Sequence, residues 1–291
     1  MEIDIFRKQI IHNSAIYAYD DILSKLQLLN DDIVYLAGSV IEGAVAECSA
    51  GMGNELSDID VFIIRKHNGF EATTADYIYK TKKVYFVNTV LNGLDVEVLD
   101  YDYITQLATT IKNSAIRSSE KTSTIFSSKM GDNNSFTEIN AFLCRLKYSI
   151  CIWNFDKYDE LIKSFDFEHF SKICINHLVT KVDNIFPDIY GNLESCQYDV
   201  ALYCMRDAFF YIMKIVLLNE GVFVDRPKWM PLKLRNLADL KHEYMNVWKD
   251  YVSLFRSDIM GDKVCEAVVR NVLTNSKQEI ERVLMGGVSL L

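Results

Sequence analysis

Hydrophobic residues are spaced differently in two parts of this chain. Between residues 33 and 100 they form short apolar runs separated by polar segments, as in IVYLA at 33–37 and DVFII at 60–64. Runs of this length predict β-strands. After residue 102, apolar residues recur every three or four positions over longer stretches, as in amphipathic helices. The pattern predicts an α+β fold: a small mixed β-sheet with flanking helices in residues 1–102, then an all-helical bundle in residues 103–291.

The same patterns predict the individual elements. An amphipathic helix is expected over residues 4–29, a strand over 82–91, a hairpin turn at Asn92-Gly93 and a returning strand over 94–99. The polar, Ser-rich segment 112–134 predicts a linker or loop. The later helices are predicted at 103–111, 137–153, 158–185, 198–218, 232–251 and 262–285.

Composition and charge narrow the possible partners. The chain has 291 residues with 31 Lys plus Arg against 40 Asp plus Glu, a formal charge of −9. Such an acidic surface argues against nonspecific binding of DNA or RNA, which depends on neutralising phosphates. The N-terminus has no apolar signal core, and no apolar run reaches membrane-spanning length. We therefore expect a cytoplasmic protein with no membrane partner, and its oligomeric state stays open.

Two acids stand at the start of the second apolar run. Asp58 and Asp60 are two residues apart, so in a strand they point to the same face. Two parallel carboxylates repel each other and are costly to desolvate, unless a cation neutralises them. Oxygen-only ligands of this kind suit Mg²⁺, which commonly binds through one or two carboxylates and substrate phosphates.

Further residues near these acids favour phosphate chemistry. Gly38-Ser39 follows the first strand and opens a helix, whose free N–H groups suit a phosphate. The returning strand carries Asp95 and Glu97 on one face. A phosphate-binding helix start beside carboxylates on neighbouring strands predicts a site for metal-assisted phosphoryl or nucleotidyl transfer.

These residues resemble the DNA polymerase β-like nucleotidyltransferase superfamily. Its signature is an apolar strand, Gly-Ser or Gly-Gly, a helix, a strand with Asp-x-Asp, and a third acid on a later strand. Residues 51–60, GMGNELSDID, are similar to the Gly-x-Gly-Asn-x-x-Ser-Asp-x-Asp form of several bacterial members. The resemblance implies that residues 1–102 are the catalytic domain. One departure is the segment between Ser39 and Asp58, which is several residues longer than usual.

The resemblance also implies the site residues. The metal ligands and catalytic acids are Asp58, Asp60 and Asp95, with Glu97 as the alternative third acid. The nucleotide-binding residues are Gly38, Ser39, Ser57 and Lys228.

The helical half contains a second, looser similarity to bacterial small-molecule nucleotidyltransferases. An apolar helix, an Asn-x-Gly turn at 219–221 and the pair Lys228-Trp229 follow one another there. Lys228 could contact a triphosphate and Trp229 could stack on a base. The alternative is a core tryptophan beside a solvated lysine. Arg206 and Asp207, within the apolar helix, are interpreted as an internal ion pair.

The expected function is metal-dependent nucleotidyl transfer. A nucleoside monophosphate, AMP from ATP by resemblance, would move to a hydroxyl of an acceptor, with pyrophosphate as the leaving group. The co-substrate is ATP or another nucleoside triphosphate, the cation is Mg²⁺ or Mn²⁺, and the acceptor is expected to be a small molecule. Transfer to a protein or tRNA, a cyclic-dinucleotide or oligonucleotide synthase, and a noncatalytic nucleotide-binding module stay open as alternatives.

Overall fold

Two β-sheets and a series of helices make up the described part of the computed structural model, which covers residues 2–4, 9–12, 15–54, 57–66, 77–83, 86–91, 94–114, 136–256 and 261–288. The strands are β1 (Glu2–Asp4), β2 (Gln9–His12), β3 (Ala15–Ala18), β4 (Ile33–Ala37), β5 (Asp60–Arg65), β6 (Tyr77–Lys83), β7 (Phe86–Leu91), β8 (Leu94–Asp100) and β9 (Ile150–Trp153). The α-helices are α1 (Tyr19–Ser24), α2 (Gly38–Val45), α3 (Tyr101–Asn113), α4 (Phe136–Lys147), α5 (Phe155–Ser164), α6 (Phe167–Glu194), α7 (Tyr198–Asn219), α8 (Met230–Leu240), α9 (Met245–Phe255) and α10 (Asp262–Val288). Short 3₁₀ helices cover Glu47–Ser49, Pro227–Trp229 and His242–Tyr244. The mixed α+β class is as predicted.

The described residues divide into two compact units. The first contains those up to residue 114 together with 136–167, and the second contains 168–256 and 261–288. Both sheets lie in the first unit. This unit continues past residue 102, where strand signals end in the sequence, because β9 pairs with β4 and helices α3 and α5 pack beside the sheet. The second unit is helical in its described residues.

The larger sheet of the first unit has six strands in the order β6-β7-β8-β5-β4-β9. Its pairs are antiparallel except β5 with β8, which run parallel. The sheet is therefore mixed, as expected. Strands β7 and β8 pair with Leu91 opposite Leu94, which confirms the predicted hairpin, although residues 92–93 themselves lie outside the described residues.

One face of this sheet carries a hydrophobic core. Alternate residues of β4 and β5, such as Val34, Leu36, Val61 and Ile63, pack with α1 and β2. The intervening residues point to the opposite face, because side chains alternate along a strand. That opposite face carries Tyr35 and Phe62, with ring centroids 5.0 Å apart. Asp60, two residues before Phe62, shares this second face.

The predicted helix over residues 4–29 is wrong. Residues 9–12 and 15–18 form the strands β2 and β3, paired antiparallel with Ile10 opposite Tyr17, and only 19–24 are helical. The apolar residues at helical spacing include Ile11 and Ile16, whose β-branched side chains favour strands. A helix pattern and a hairpin pattern overlap in this segment, and strand pairing prevails.

Four other predicted elements have different boundaries in the structure. The helix predicted over 137–153 ends at Lys147. Residues 150–153, which are rich in β-branched and aromatic side chains, instead form β9 and pair with β4. The predicted helix 158–185 is divided between α5 and α6, and the helix 232–251 between α8 and α9. The predicted strand 82–91 is divided between β6 and β7, which pair antiparallel. Most of the polar segment 112–134 lies outside the described residues.

A largely buried ion pair joins β5 to the start of β4 at the end of the sheet away from Asp60. Arg65, the last residue of β5, donates to Asp32, just before β4, with Nη2 and Oδ2 2.6 Å apart. Arg65 also donates to the Gln27 carbonyl at 2.7 Å. Removing one member of such a pair leaves a buried charge, so we assign both residues a structural role.

The second unit contains the Asn219-Glu220-Gly221 turn that ends α7. The Glu220 carboxylate accepts hydrogen bonds from Lys241 and from the Tyr244 hydroxyl. These bonds attach the end of α7 to the segment that joins α8 to α9. Arg206 does not form the expected pair with Asp207: it donates to the Leu254 carbonyl at 2.8 Å, and Asp207 is exposed. Adjacent residues of a helix point in different directions, which explains the difference.

A buried carboxylate in the second unit makes stability depend on pH. Asp250 on α9 accepts hydrogen bonds from Asn275 Nδ2 at 3.0 and 3.2 Å, and burial raises the pKa of Asp250 from 3.8 to about 6. The folded state therefore holds this proton more tightly than the unfolded state. Stability falls as the pH rises from about 4 to about 6 and is constant above that range.

We expect Asp250→Asn to remove this loss of stability at higher pH. The asparagine amide has the same shape as the carboxylate, and its oxygen still accepts a hydrogen bond from Asn275. The free energy of unfolding at about pH 8 should rise by about 3 kcal/mol, with no change near pH 4. Urea unfolding at both pH values measures the effect. Asp239→Asn, at an exposed position of α8, is the matched control. Parallel pH profiles for Asp250→Asn and the natural protein would contradict the prediction.

No helix among the described residues is long and apolar enough to cross a membrane. All seven cysteines are free thiols, four of them buried and Cys196 exposed.

Candidate functional site

The start of helix α2 and the start of strand β5 meet at Gly38. In the β4–β5 ladder Ala37 lies opposite Asp60, so Gly38 follows directly beside the Asp60 side chain. Gly38 has φ +86°, and a Cβ built on it would lie 1.8 Å from Asp60 Oδ2 and 2.9 Å from Asp60 Cγ. Only glycine leaves this space open and adopts this backbone conformation without strain. The Gly-Ser motif and the Asp-x-Asp motif are therefore parts of one site.

The start of helix α2 is the second component. Its N-cap residue, Ala37, has no side chain to accept a hydrogen bond from the first turn. Such N–H groups need another partner, and an anion is a suitable one. Ser39, half-buried, is the second residue of this turn.

The glycine-containing loop after α2 packs closely on the same turn. Gly53 has φ +77°, and a Cβ on it would lie 3.0 Å from Val40 Cα and 3.3 Å from Val40 N. A side chain at residue 53 would push the loop away from the helix start. The second Gly of the Gly-x-Gly-Asn segment thus keeps this loop against α2.

The long segment between Ser39 and Asp58 does not extend the helix beyond Val45. It forms the short 3₁₀ helix Glu47–Ser49, and the Ser49 hydroxyl donates to Glu42 Oε1 at 2.7 Å in a buried contact. The extra residues therefore fold back on α2. Glu42, which the sequence analysis did not select, is the buried acid that attaches them.

Ser57 and Asp58 lead into β5. The Ser57 hydroxyl accepts the Asn54 N–H at 3.0 Å, and the Ser57 N–H donates to the Asn54 carbonyl at 2.9 Å. These bonds form a tight turn, so the Ser57 hydroxyl has a structural contact in addition to any role with a nucleotide. Asp58 is exposed, and Ile59 is buried in the sheet core. Asp58 and Asp60 thus flank a core residue.

The register of β5 and β8 separates the two candidates for the third acid. Val61 pairs with Val96, so Asp60 and Asp95 stand at the same level on neighbouring parallel strands. Glu97 is level with Phe62, two residues further along. Adjacent strands lie about 4.8 Å apart, whereas two residues along a strand span about 7 Å. Asp95 is therefore the acid beside Asp60.

Glu97 has a different partner. Arg145 of α4 donates to Glu97, with Nη1 and Oε2 3.2 Å apart, and its guanidinium carbon lies 5.7 Å from the centre of the Phe62 ring. The Phe62 ring stacks on Tyr35, which is fully buried. The Tyr35 hydroxyl has no hydrogen-bond partner within the described residues. Burial, with a smaller effect of the Glu97 charge, raises the pKa of Tyr35 well above its usual value.

The donor set fits a hard cation. All the candidate ligands are carboxylate oxygens, the type that Mg²⁺ prefers, and the space beside Gly38 accommodates the Asp60 carboxylate. Within the described chain, the oxygens of Asp58, Asp60 and Asp95 do not all lie within 4.8 Å of one another. A cation shared by all three would therefore require a change of rotamer, for which the exposed Asp58 has the most freedom.

Lys228 and Trp229 belong to the second unit, in the 3₁₀ helix Pro227–Trp229. Lys228 is exposed, and its Nζ lies 4.9 Å from the centre of the half-buried Trp229 ring. The Lys228 ammonium group therefore already makes a cation–π contact with the Trp229 ring. The Trp229 indole N–H is buried without a hydrogen-bond partner among the described residues.

Comparison with models of known protein families finds no match to this chain, and no curated protein matches it. The residues that sequence reasoning missed are Glu42, Arg145 and Tyr35. A buried Glu in the short apolar helix α2 was a detectable signal, because a carboxylate there needs a partner. Arg145 had no such signal, since its partner lies 48 residues away.

Proposed function

We propose that this protein is a metal-dependent nucleotidyltransferase that moves a nucleoside monophosphate onto a hydroxyl of a small-molecule acceptor. The observation that carries the proposal is the close approach of Gly38 to Asp60. It joins a helix start whose N-cap residue, Ala37, supplies no side-chain acceptor to a carboxylate whose neighbour on the next strand is Asp95. Phosphate-binding donors and cation-binding oxygens at one place are what this chemistry requires.

Each group of the chain has a distinct part in this proposal. The first turn of α2, with Gly38 and Ser39, binds phosphate oxygens of the nucleotide. Asp58, Asp60 and Asp95 would hold Mg²⁺, which neutralises charge on the phosphates and activates the attacking hydroxyl. Positioning and charge neutralisation supply most of the rate in such reactions, so a separate general base is not required.

The test is isothermal titration of the full chain with nonhydrolysable analogues of ATP, GTP, CTP and UTP, with and without Mg²⁺. We expect one analogue to bind, with an affinity that falls at least about tenfold when Mg²⁺ is removed, since a cation held by the carboxylates would neutralise charge on the phosphates. Asp58→Ala/Asp60→Ala should abolish the Mg²⁺-dependent part. ATP is the analogue expected to bind.

Two outcomes would count against the proposal. If a folded protein binds none of the four analogues, the chain is not a nucleotidyltransferase. If an analogue binds equally well without Mg²⁺ and to Asp58→Ala/Asp60→Ala, the chain binds nucleotide without metal chemistry. The latter result would favour a noncatalytic binding module, since folds outlast the functions of their sites.

A further inference from the structure

The pair Glu97–Arg145 lies on the same sheet face as the candidate cation ligands. Asp95 and Glu97 are two residues apart on β8, so both side chains leave the sheet on the side of Asp60 and Phe62. The side chains of Glu97 and Arg145 are 19% and 23% exposed, so neither is sealed in the core. A bare carboxylate at residue 97 could therefore compete with Asp95 for a cation.

Two contacts within the described structure hold Arg145 beside Glu97. Its guanidinium donates to Glu97 at 3.2 Å and stands over the Phe62 ring at 5.7 Å. Phe62 is itself fixed by a parallel stack on the buried Tyr35, with an angle of 6° between the rings. A guanidinium with both an aromatic face and a carboxylate partner keeps a defined orientation. The charge of Glu97 is neutralised within this cluster.

We propose that Arg145 is a positioning residue that keeps Glu97 out of the cation-binding set and so leaves the cation to Asp58, Asp60 and Asp95. This inference rests on the proposed function, because it presupposes that these acids bind a cation. Arg145 acts through Glu97, with no contact to the cation. Its removal should free the Glu97 carboxylate to become an additional ligand.

The experiment is a Mn²⁺ titration of the full chain without nucleotide, followed by electron paramagnetic resonance, with water proton relaxation to count Mn²⁺-bound waters. In Arg145→Met we expect Mn²⁺ to bind about fivefold or more tightly, since one net negative charge is added near the ion. We also expect one bound water fewer, because Glu97 takes its place. Arg145→Met/Glu97→Gln should restore both values, whereas Glu97→Gln alone, which removes one negative charge, should weaken Mn²⁺ binding by up to about fivefold and leave the number of bound waters unchanged.

Lys147→Met controls for charge alone. Lys147 is two residues away on α4 and lies over the Tyr148 and Phe167 rings, without contact to Glu97 in the described structure. The Lys147→Met substitution should leave the number of Mn²⁺-bound waters unchanged. Arg145→Lys, which retains the charge, should stay close to the natural protein.

Three results would overturn the inference. The first is an unchanged water count in a folded Arg145→Met protein. The second is one additional Mn²⁺-bound water in Glu97→Gln alone, which would make Glu97 a ligand in the natural protein and holds even if Arg145→Met does not fold. The third is a natural protein that binds no Mn²⁺ sensitive to Asp60→Asn. Only this third result also removes the proposed function, so the two failures are distinguishable.

Discussion

Gly38→Ala is expected to abolish Mg²⁺-dependent nucleotide binding while leaving the protein folded. The new Cβ would lie 1.8 Å from Asp60 Oδ2 but 3.4 Å from Asp60 Cβ. Rotation of the Asp60 side chain relieves this clash, because only its outer atoms overlap. The carboxylate is then displaced from the helix start, and we expect nucleotide affinity to fall at least about a hundredfold, as when a metal ligand is removed.

Two other glycines separate the causes of this effect. Gly261 has the same φ of +86°, but no atom of the described residues lies within 4 Å of a Cβ built on it, so Gly261→Ala reports the cost of the left-handed backbone. We expect Gly38→Ala and Gly261→Ala to lose a similar free energy of unfolding, about 1–2 kcal/mol. Gly191, within α6 and also without close contacts, should tolerate alanine. Titration calorimetry and urea unfolding measure both quantities. A Gly38→Ala protein that binds nucleotide normally would remove the steric argument for the site.

Asp60→Asn is expected to lower turnover at least about a hundredfold, the usual effect of removing one charge-stabilising group from an active site. The amide has the same shape, so the fold should be retained. Once the bound nucleotide is known, pyrophosphate release in the presence of a panel of hydroxylated acceptors measures turnover. Asp95→Asn should lower turnover to a similar extent, because Asp95 stands level with Asp60 on the neighbouring strand.

The matched control for both variants is Asp102→Asn. Asp102 is an exposed acid in the first turn of α3, in the same unit, and its substitution changes the net charge equally. It should leave turnover unchanged. Equal losses in Asp60→Asn and Asp102→Asn would indicate a general effect of surface charge instead of a cation site.

The local sequence pattern was sufficient to predict those elements whose backbone hydrogen bonds lie within the element itself. The helices at 101–113, 198–219 and 262–288 agree with prediction within a few residues, because helical hydrogen bonds are local and the apolar spacing is long enough to read. The β7–β8 hairpin also agrees, since Asn92-Gly93 encodes a tight turn. The N-terminal segment was misassigned because a helix pattern and a hairpin pattern overlap there, and β9 because its partner, β4, is distant in sequence.

The candidate site divides in the same way. The sequence by itself identified Gly38, Ser39, Asp58 and Asp60 as chemically informative residues, because residue type and spacing suffice to predict a phosphate cradle and paired carboxylates. It left Asp95 and Glu97 as alternatives, since both alternate correctly on one strand. Only the tertiary structure decided their positions: the parallel β5–β8 register sets Asp95 beside Asp60, and Arg145, 48 residues beyond Glu97, pairs with Glu97. Register and long-range pairing arise from how distant segments pack, and no local spacing specifies them.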